Sequence, residues 1–237
     1  LKLPRRHARA THMPPARDAA PRPGLFDDLY ADRGGAPWDI GRPQGELCAA
    51  IWNQEIIGPR VMDVGCGTGD NAILLAMHGF EVTAFDVHPA AVRLARDRVA
   101  AAGSLRGSVR VYQADVFDLA CTPGLGETTF DTLVDSAVFH CIGDDSAQER
   151  YIGALAPWLR PGGRLVLLAC SDRNPDPWEG PPRRISERRA RALRGGARKD
   201  GLRRRSLPRH LCRGIAPPSA AGALGRLPRG RRGSLPA

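Results

Sequence analysis

No stretch of this 237-residue chain comes near the roughly 20 consecutive apolar residues that a membrane-spanning helix requires. Residues 1–24, LKLPRRHARATHMPPARDAAPRPG, lack the hydrophobic centre of a secretory signal. The six cysteines are scattered and none belongs to a CxxC pair, which argues against a zinc site and against a disulfide framework. They read as reduced, mostly buried thiols, and the chain as a soluble, cytoplasmic protein with no membrane partner and no metal. Acidic residues are also scarce at one end. Residues 183–237 hold 17 Lys and Arg against 2 Asp and Glu, whereas residues 1–182 hold 18 against 23. The net charge of +10 therefore belongs to the tail and says nothing about what the preceding part binds. That same tail contains no Val, Phe, Tyr, Trp, Met, Thr, Asn or Gln, which leaves it without aromatic or β-branched core residues other than isoleucine.

What is present in between has the pattern of an α/β domain. Residues 1–23, rich in Pro, Arg and Ala without periodicity, read as a disordered leader. From residue 24 to 182 strands and helices alternate. VMDV (61–64) reads as a strand, NAILLAMHG as a helix and EVTAFD (81–86) as a strand. PAAVRLARDRVAAAG then reads as a helix that stops at Gly103. VRVYQAD (109–115) and FDTLVDS (130–136) are further strands, followed by a helix near QERYIGALAPWL, a turn at RPGG and the strand RLVLLAC (164–170). Strands alternating with helices predict a doubly wound, mostly parallel sheet, with ligand off the C-terminal strand ends where strand order reverses.

Three features fall where a nucleoside ligand needs them. Gly65, Gly67 and Gly69 form a glycine elbow between strand and helix, with Asp63 just before it on the strand. A dinucleotide fingerprint would place a third glycine at position 70, but that residue is Asp70, and a carboxylate facing a pyrophosphate is unfavourable. Asp86 ends the next strand, where an acceptor-only carboxylate suits two ribose hydroxyls; a helix-capping acid is the plain alternative. Asp115 ends the third strand, where it suits an adenine amino group or is a solvated loop acid. His140, after the fourth strand, titrates near neutrality and is a candidate base for the acceptor; a hydrogen-bonded structural histidine is the competing reading.

VMDVGCGTG, EVTAFD, QADVF, FDTLVDSAVFHCI and LRPGGRLVLL together resemble the class I S-adenosylmethionine-dependent methyltransferases, from about Gly24 to Asp172. The resemblance implies a Rossmann-like methyltransferase fold and S-adenosyl-L-methionine as cofactor. It implies that Gly65, Gly67 and Gly69 lie under the methionine part, that Asp63 helps hold its amino group, that Asp86 clasps the ribose, and that Asp115 with Val116 contacts adenine. APWDIGRPQ (36–44) further resembles the entrance segment of small-molecule members related to thiopurine, thiol and phenol or quinone methyltransferases, which implicates Trp38, Asp39 and Gly41. Trp38 as a simple core plug is the alternative. The implied reaction is methyl transfer to an O, S or N atom of a small molecule, with a nucleic-acid acceptor or a catalytically dead cofactor-binding remnant as the other readings.

Two readings of the tail stand side by side. Seventeen cationic residues make a basic arm for nonspecific contact with nucleic acid, without aromatics to stack on bases. Alternatively the Arg, Gly, Pro, Ala, Leu and Ser bias is what GC-rich DNA yields in a shifted frame. CTT CGC GGA GGG, one coding of Leu193–Gly196, gives Phe-Ala-Glu one base later. The resembled fold continues with a helix and two strands, so the second reading predicts that C-terminal strands are missing and that the edge beside RLVLLAC is unpaired. NPDPW (174–178) reads as a proline-stiffened loop.

Overall fold

The computed structural model describes residues 25–31, 36, 38–126, 128–173 and 183–196. The expected leader, NPDPW and residues 197–237 lie outside the described residues.

Among the described residues, five strands and six α-helices follow in order: α1 (Leu25–Ala31), α2 (Gly45–Trp52), β1 (Arg60–Val64), α3 (Asp70–Met77), β2 (Glu81–Asp86), α4 (Pro89–Ala101), β3 (Ser108–Gln113), β4 (Phe130–Ser136), α5 (Asp145–Leu155), β5 (Leu159–Leu168) and α6 (Glu187–Gly196). Local chemistry sets several of these boundaries. Pro89 opens α4 where its missing N–H costs nothing, and Gly103, with φ of 71°, lies just past its end. The Asp144 side chain accepts from the Ala147 N–H at 2.8 Å and caps α5.

The strands pair in parallel in the order β3-β2-β1-β4-β5, the doubly wound sheet expected from the sequence. Order reverses between β1 and β4, so the chain leaving β1 enters the crevice where such sheets bind ligands. Alternation along the strands divides the core into two layers. Val61, Val82, Ala84 and Val134 pack with Leu47, Leu75, Ala76 and Ala95 of α2, α3 and α4. Met62, Val64, Phe85 and Leu133 pack with Phe139, Tyr151 and Leu155 on the other side.

Two expectations change. The RPGG turn is a bulge inside β5: Leu159 pairs with Phe130 and Arg164 with Thr132, so residues 160–163 are accommodated between adjacent register positions. The start of the Arg-rich tail is also structured, contrary to a disordered segment beginning at residue 183. Ile185, only 4% exposed, joins the core layer of Phe139 and Tyr151, and bridges Ser171 in parallel. Its N–H donates to the Cys170 carbonyl at 2.7 Å, and the Arg183 N–H donates to the His140 carbonyl at 3.0 Å. α6 follows, with Ala190 and Leu193 against the same layer. One isoleucine and two small or aliphatic residues at helical spacing suffice to dock this short piece, which composition averaged over 55 residues conceals.

Candidate functional site

The elbow after β1 is shaped by glycine conformations. Gly65, Gly67 and Gly69 hold φ of 62°, 54° and 90°, the left-handed region that other residues adopt only at a cost. At Gly65 the constraint is also steric, because an added Cβ would sit 2.1 Å from Val138 Cγ2. Val138 is brought there by the turn after β4. Ala137, a non-glycine at φ of 77°, donates its N–H to the Leu168 carbonyl at 3.0 Å. The Asp135 carboxylate then accepts from the N–H groups of Val138 (3.0 Å) and Phe139 (3.1 Å) and from the Tyr151 hydroxyl (2.7 Å). A strained residue followed by a fully bonded buried acid marks a turn whose path is over-determined.

Carboxylates converge on the elbow. Asp86 Oδ2 accepts from the Gly67 N–H and Oδ1 from the His88 N–H, each at 2.9 Å. It thus supports the elbow and holds the turn that leads into α4. Asp63 is 1% exposed, and its Oδ2 is buried with no hydrogen-bond partner among the described residues. Burial, reinforced by the nearby Asp135 and Asp86, pushes its carboxyl up to about 8. Burial likewise raises Asp135 to about 6 and raises Asp86. Three buried acids stand together at the elbow, one of them with an oxygen that has no hydrogen-bond partner among the described residues, an arrangement that favours a cation.

The entrance segment lies across this site. Trp38 donates its Nε1–H to the Tyr30 hydroxyl at 3.0 Å, and its ring packs on Phe26 with centroids 5.3 Å apart. Phe26 and Tyr30 both also approach the His88 ring. Tyr30 Oη would stand 3.2 Å from a Cβ at position 67, so this aromatic group touches the elbow itself. Asp39 Oδ1 accepts from the Gly41 N–H at 3.1 Å, closing a tight turn. Trp38, Asp39 and Gly41 are therefore gathered with Asp63, Asp86 and the three glycines. Asp115 and Val116 lie at the neighbouring C-terminal end of β3; Asp115 is exposed and its Oδ1 accepts from the Phe117 N–H at 2.9 Å, while Val116 packs against the core.

His140 departs from the expected catalytic position. It is 5% exposed, its Nδ1 accepts from the Cys170 N–H at 2.9 Å, and burial holds its pKa down to about 3. A neutral ring bonded to the end of β5 has the geometry of a structural residue. Sequence reasoning passed over Phe26 and Tyr30, whose i, i+4 spacing ahead of Trp38 was the available signal. It also passed over Asp135, an acid interrupting an apolar strand. Among the described residues no group of three His, Cys, Asp or Glu is placed to hold a metal ion, and no helix is long and apolar enough to cross a membrane.

The family described as "Methyltransferase domain" matches residues 61–163. A 2-heptyl-1-hydroxyquinolin-4(1H)-one methyltransferase from Mycobacteroides abscessus is 32% identical over 132 residues, covering 56% of this chain and 55% of the relative. The chain thus spans a little over half the length of that relative. A solved structure described as "Conversion of a Disulfide Bond into a Thioacetal Group during Echinomycin Biosynthesis" aligns at 33% identity over 73% of each chain, with a TM-score of 0.57. The magnesium protoporphyrin IX methyltransferase of Synechocystis PCC 6803, solved with bound SAM, aligns at 20% identity over 64% of each chain with a TM-score of 0.50, a likeness of fold.

Proposed function

This chain belongs to the class I S-adenosylmethionine-dependent methyltransferases, and on that premise we propose that it transfers a methyl group from S-adenosyl-L-methionine to an O, S or N atom of a small molecule. One observation carries the reading: the buried Asp63 oxygen, without a hydrogen-bond partner among the described residues, beside the glycine elbow. An uncompensated carboxyl in a low-dielectric site is costly unless a cationic partner arrives, and an amino acid ammonium group is such a partner. The residues present fit the cofactor. Asp63 would accept from its amino group, Gly65, Gly67 and Gly69 would let it approach the backbone, and Asp86 would accept from the ribose. Asp115 and Val116 would border adenine, and Trp38, Asp39 and Gly41 would cover the site from the entrance side.

The bound cofactor supplies an electrophilic methyl group on a sulfonium. The protein's part is alignment and exclusion of water. Phe26, Tyr30 and Trp38 shield the elbow on one side, and Val138, held by Asp135, walls it on the other. His140 keeps the turn after β4 joined to β5 and takes no proton from the acceptor. Three of the described arginines beyond β5 are held in ion pairs. Arg183 pairs with Asp145, Arg189 with Glu149 (3.1 Å), and Arg173 with Glu187 (2.8 Å). The quinolone relative supports a small-molecule acceptor.

The experiment is methyl transfer from labelled S-adenosylmethionine to a panel of thiols, phenols and hydroxyquinolones, with Asp63→Asn as control. Turnover on at least one acceptor, lost in the variant, is expected. Tight S-adenosylhomocysteine binding without turnover on any acceptor would instead support the cofactor-binding remnant.

A further inference from the structure

Asp70, the residue that breaks the dinucleotide fingerprint, takes part in an interaction outside the cluster of buried acids. α4 buries Ala91, Val92 and Ala95. Arg98 follows Ala95 by three and Ala91 by seven residues, so it extends the buried stripe with a charged tip. Ala95 packs directly beneath the elbow: a Cβ at Gly69 would lie 3.2 Å from Ala95 Cβ. One turn further on, the Arg98 guanidinium joins two separate pieces of chain. Its Nη1 donates to Thr68 Oγ1 and to Asp70 Oδ2, each at 2.8 Å, on the elbow and at the first turn of α3. It also forks onto Asp39, Nη2 to Oδ2 at 2.9 Å and Nη1 to Oδ1 at 3.3 Å.

Asp39 is the next link. The oxygen that accepts from Arg98 Nη1 also accepts from the Gly41 N–H, and the adjoining Trp38 carries the hydrogen bond to Tyr30. Just beyond this stretch, the Gln44 N–H donates to Asn71 Oδ1 of α3 at 3.0 Å. A planar fork on a carboxylate fixes orientation as well as distance, which a lysine ammonium does not. Asp70, for its part, is stabilised by the N-terminus of α3 in addition to the guanidinium.

We propose that Arg98 is a positioning residue of the cofactor site, fastening the segment Trp38–Gly41 against the glycine elbow while touching no cofactor itself. This rests on the reading above, in which that segment covers S-adenosylmethionine. The physical effect is a population effect. A ligand that needs the segment docked binds with an apparent affinity reduced by the fraction of molecules in which it is docked, so loosening it to about one in ten weakens binding about tenfold.

The test uses the full chain. S-adenosylhomocysteine is titrated calorimetrically into the wild type, Arg98→Met, Asp39→Asn, the double variant and Arg98→Lys, and backbone amide exchange over residues 38–44 is followed without ligand. Expected are a Kd raised by about tenfold or more in Arg98→Met and a similar loss in Asp39→Asn. The double variant is no worse than the weaker single one, and Arg98→Lys falls between it and wild type. Exchange at 38–44 quickens while the sheet is unchanged. A Kd in Arg98→Met within twofold of wild type overturns the proposal, as do losses that simply multiply in the double variant. Should Arg98→Met fail to fold, Arg98→Lys and Asp39→Asn carry the test, and unchanged affinity in both overturns it. Wild-type protein that binds no S-adenosylhomocysteine fails the functional reading instead, a result distinct from wild-type binding that the variants leave intact.

Discussion

Buried titratable side chains here carry different signs of pH dependence, and each is separable by a conservative substitution. Asp63 has its pKa raised from 3.8 to about 8 by burial, so the folded state binds a proton that the unfolded state has released. Stability from this group is present below the unfolded value and is lost as pH rises toward about 8. Asp63→Asn removes that dependence: the variant should gain melting temperature relative to wild type as pH rises through this window, while losing S-adenosylhomocysteine affinity. His140 runs the other way. Its folded pKa is lowered from 6.5 to about 3, so wild type loses stability as pH falls through that range because only the unfolded chain takes up the proton. His140→Asn keeps an acceptor near the position of Nδ1, so it should retain most turnover, whereas His140→Leu should lower the melting temperature by leaving the Cys170 N–H unpaired. Loss of turnover in a folded His140→Asn protein would restore a proton-transfer role.

At the scale of elements, the decisive piece is the junction of β1 with α3. Gly65→Ala should destabilise the fold by about 1–2 kcal/mol from backbone conformation alone, before the Val138 clash is counted, and should abolish S-adenosylhomocysteine binding; a melt and a titration check both. This junction was readable because glycine spacing and strand-end acids are local patterns, and local patterns survive in one dimension. The turn holding Val138 was not, since Ala137 at positive φ has no sequence mark and its cause is the distant Tyr151 and Leu168. Arg98 was equally hidden: within ARDRVAAAG it reads as a solvated helical charge, and only the fold brings Asp39 to it from 59 positions away. The RPGG bulge looked like a turn because proline and glycine do mark turns, and strand pairing overrode the local preference.

The same distinction governs the whole molecule. Average composition made residues 183–237 one basic tail, whereas the stretch up to Gly196 packs against the domain. Before that point Ile185 is core, and Arg189, through Gln148 Oε1 (3.0 Å), the Asp145 carbonyl (2.6 Å) and Glu149 (3.1 Å), joins α6 to α5. Ile185→Ala should cost about 2–4 kcal/mol of stability in denaturant unfolding, a loss that a merely trailing segment would not produce. A truncation before Arg183 would therefore remove part of the core. If the tail arises from a shifted frame, the adjacent frame of the gene should encode alternating strand and helix patterns beyond Gly196.

The central claim is that the buried Asp63 carboxylate and the glycine elbow together hold the amino acid end of an S-adenosyl compound. Isothermal titration of the full chain with S-adenosylhomocysteine, wild type beside Asp63→Asn, at pH values on either side of neutrality, tests it most directly. The account predicts one saturable site whose affinity strengthens as pH rises toward about 8, and which is weakened by on the order of tenfold or more in the variant. Absence of binding to folded wild type, or equal affinity in Asp63→Asn at both pH values, would contradict it.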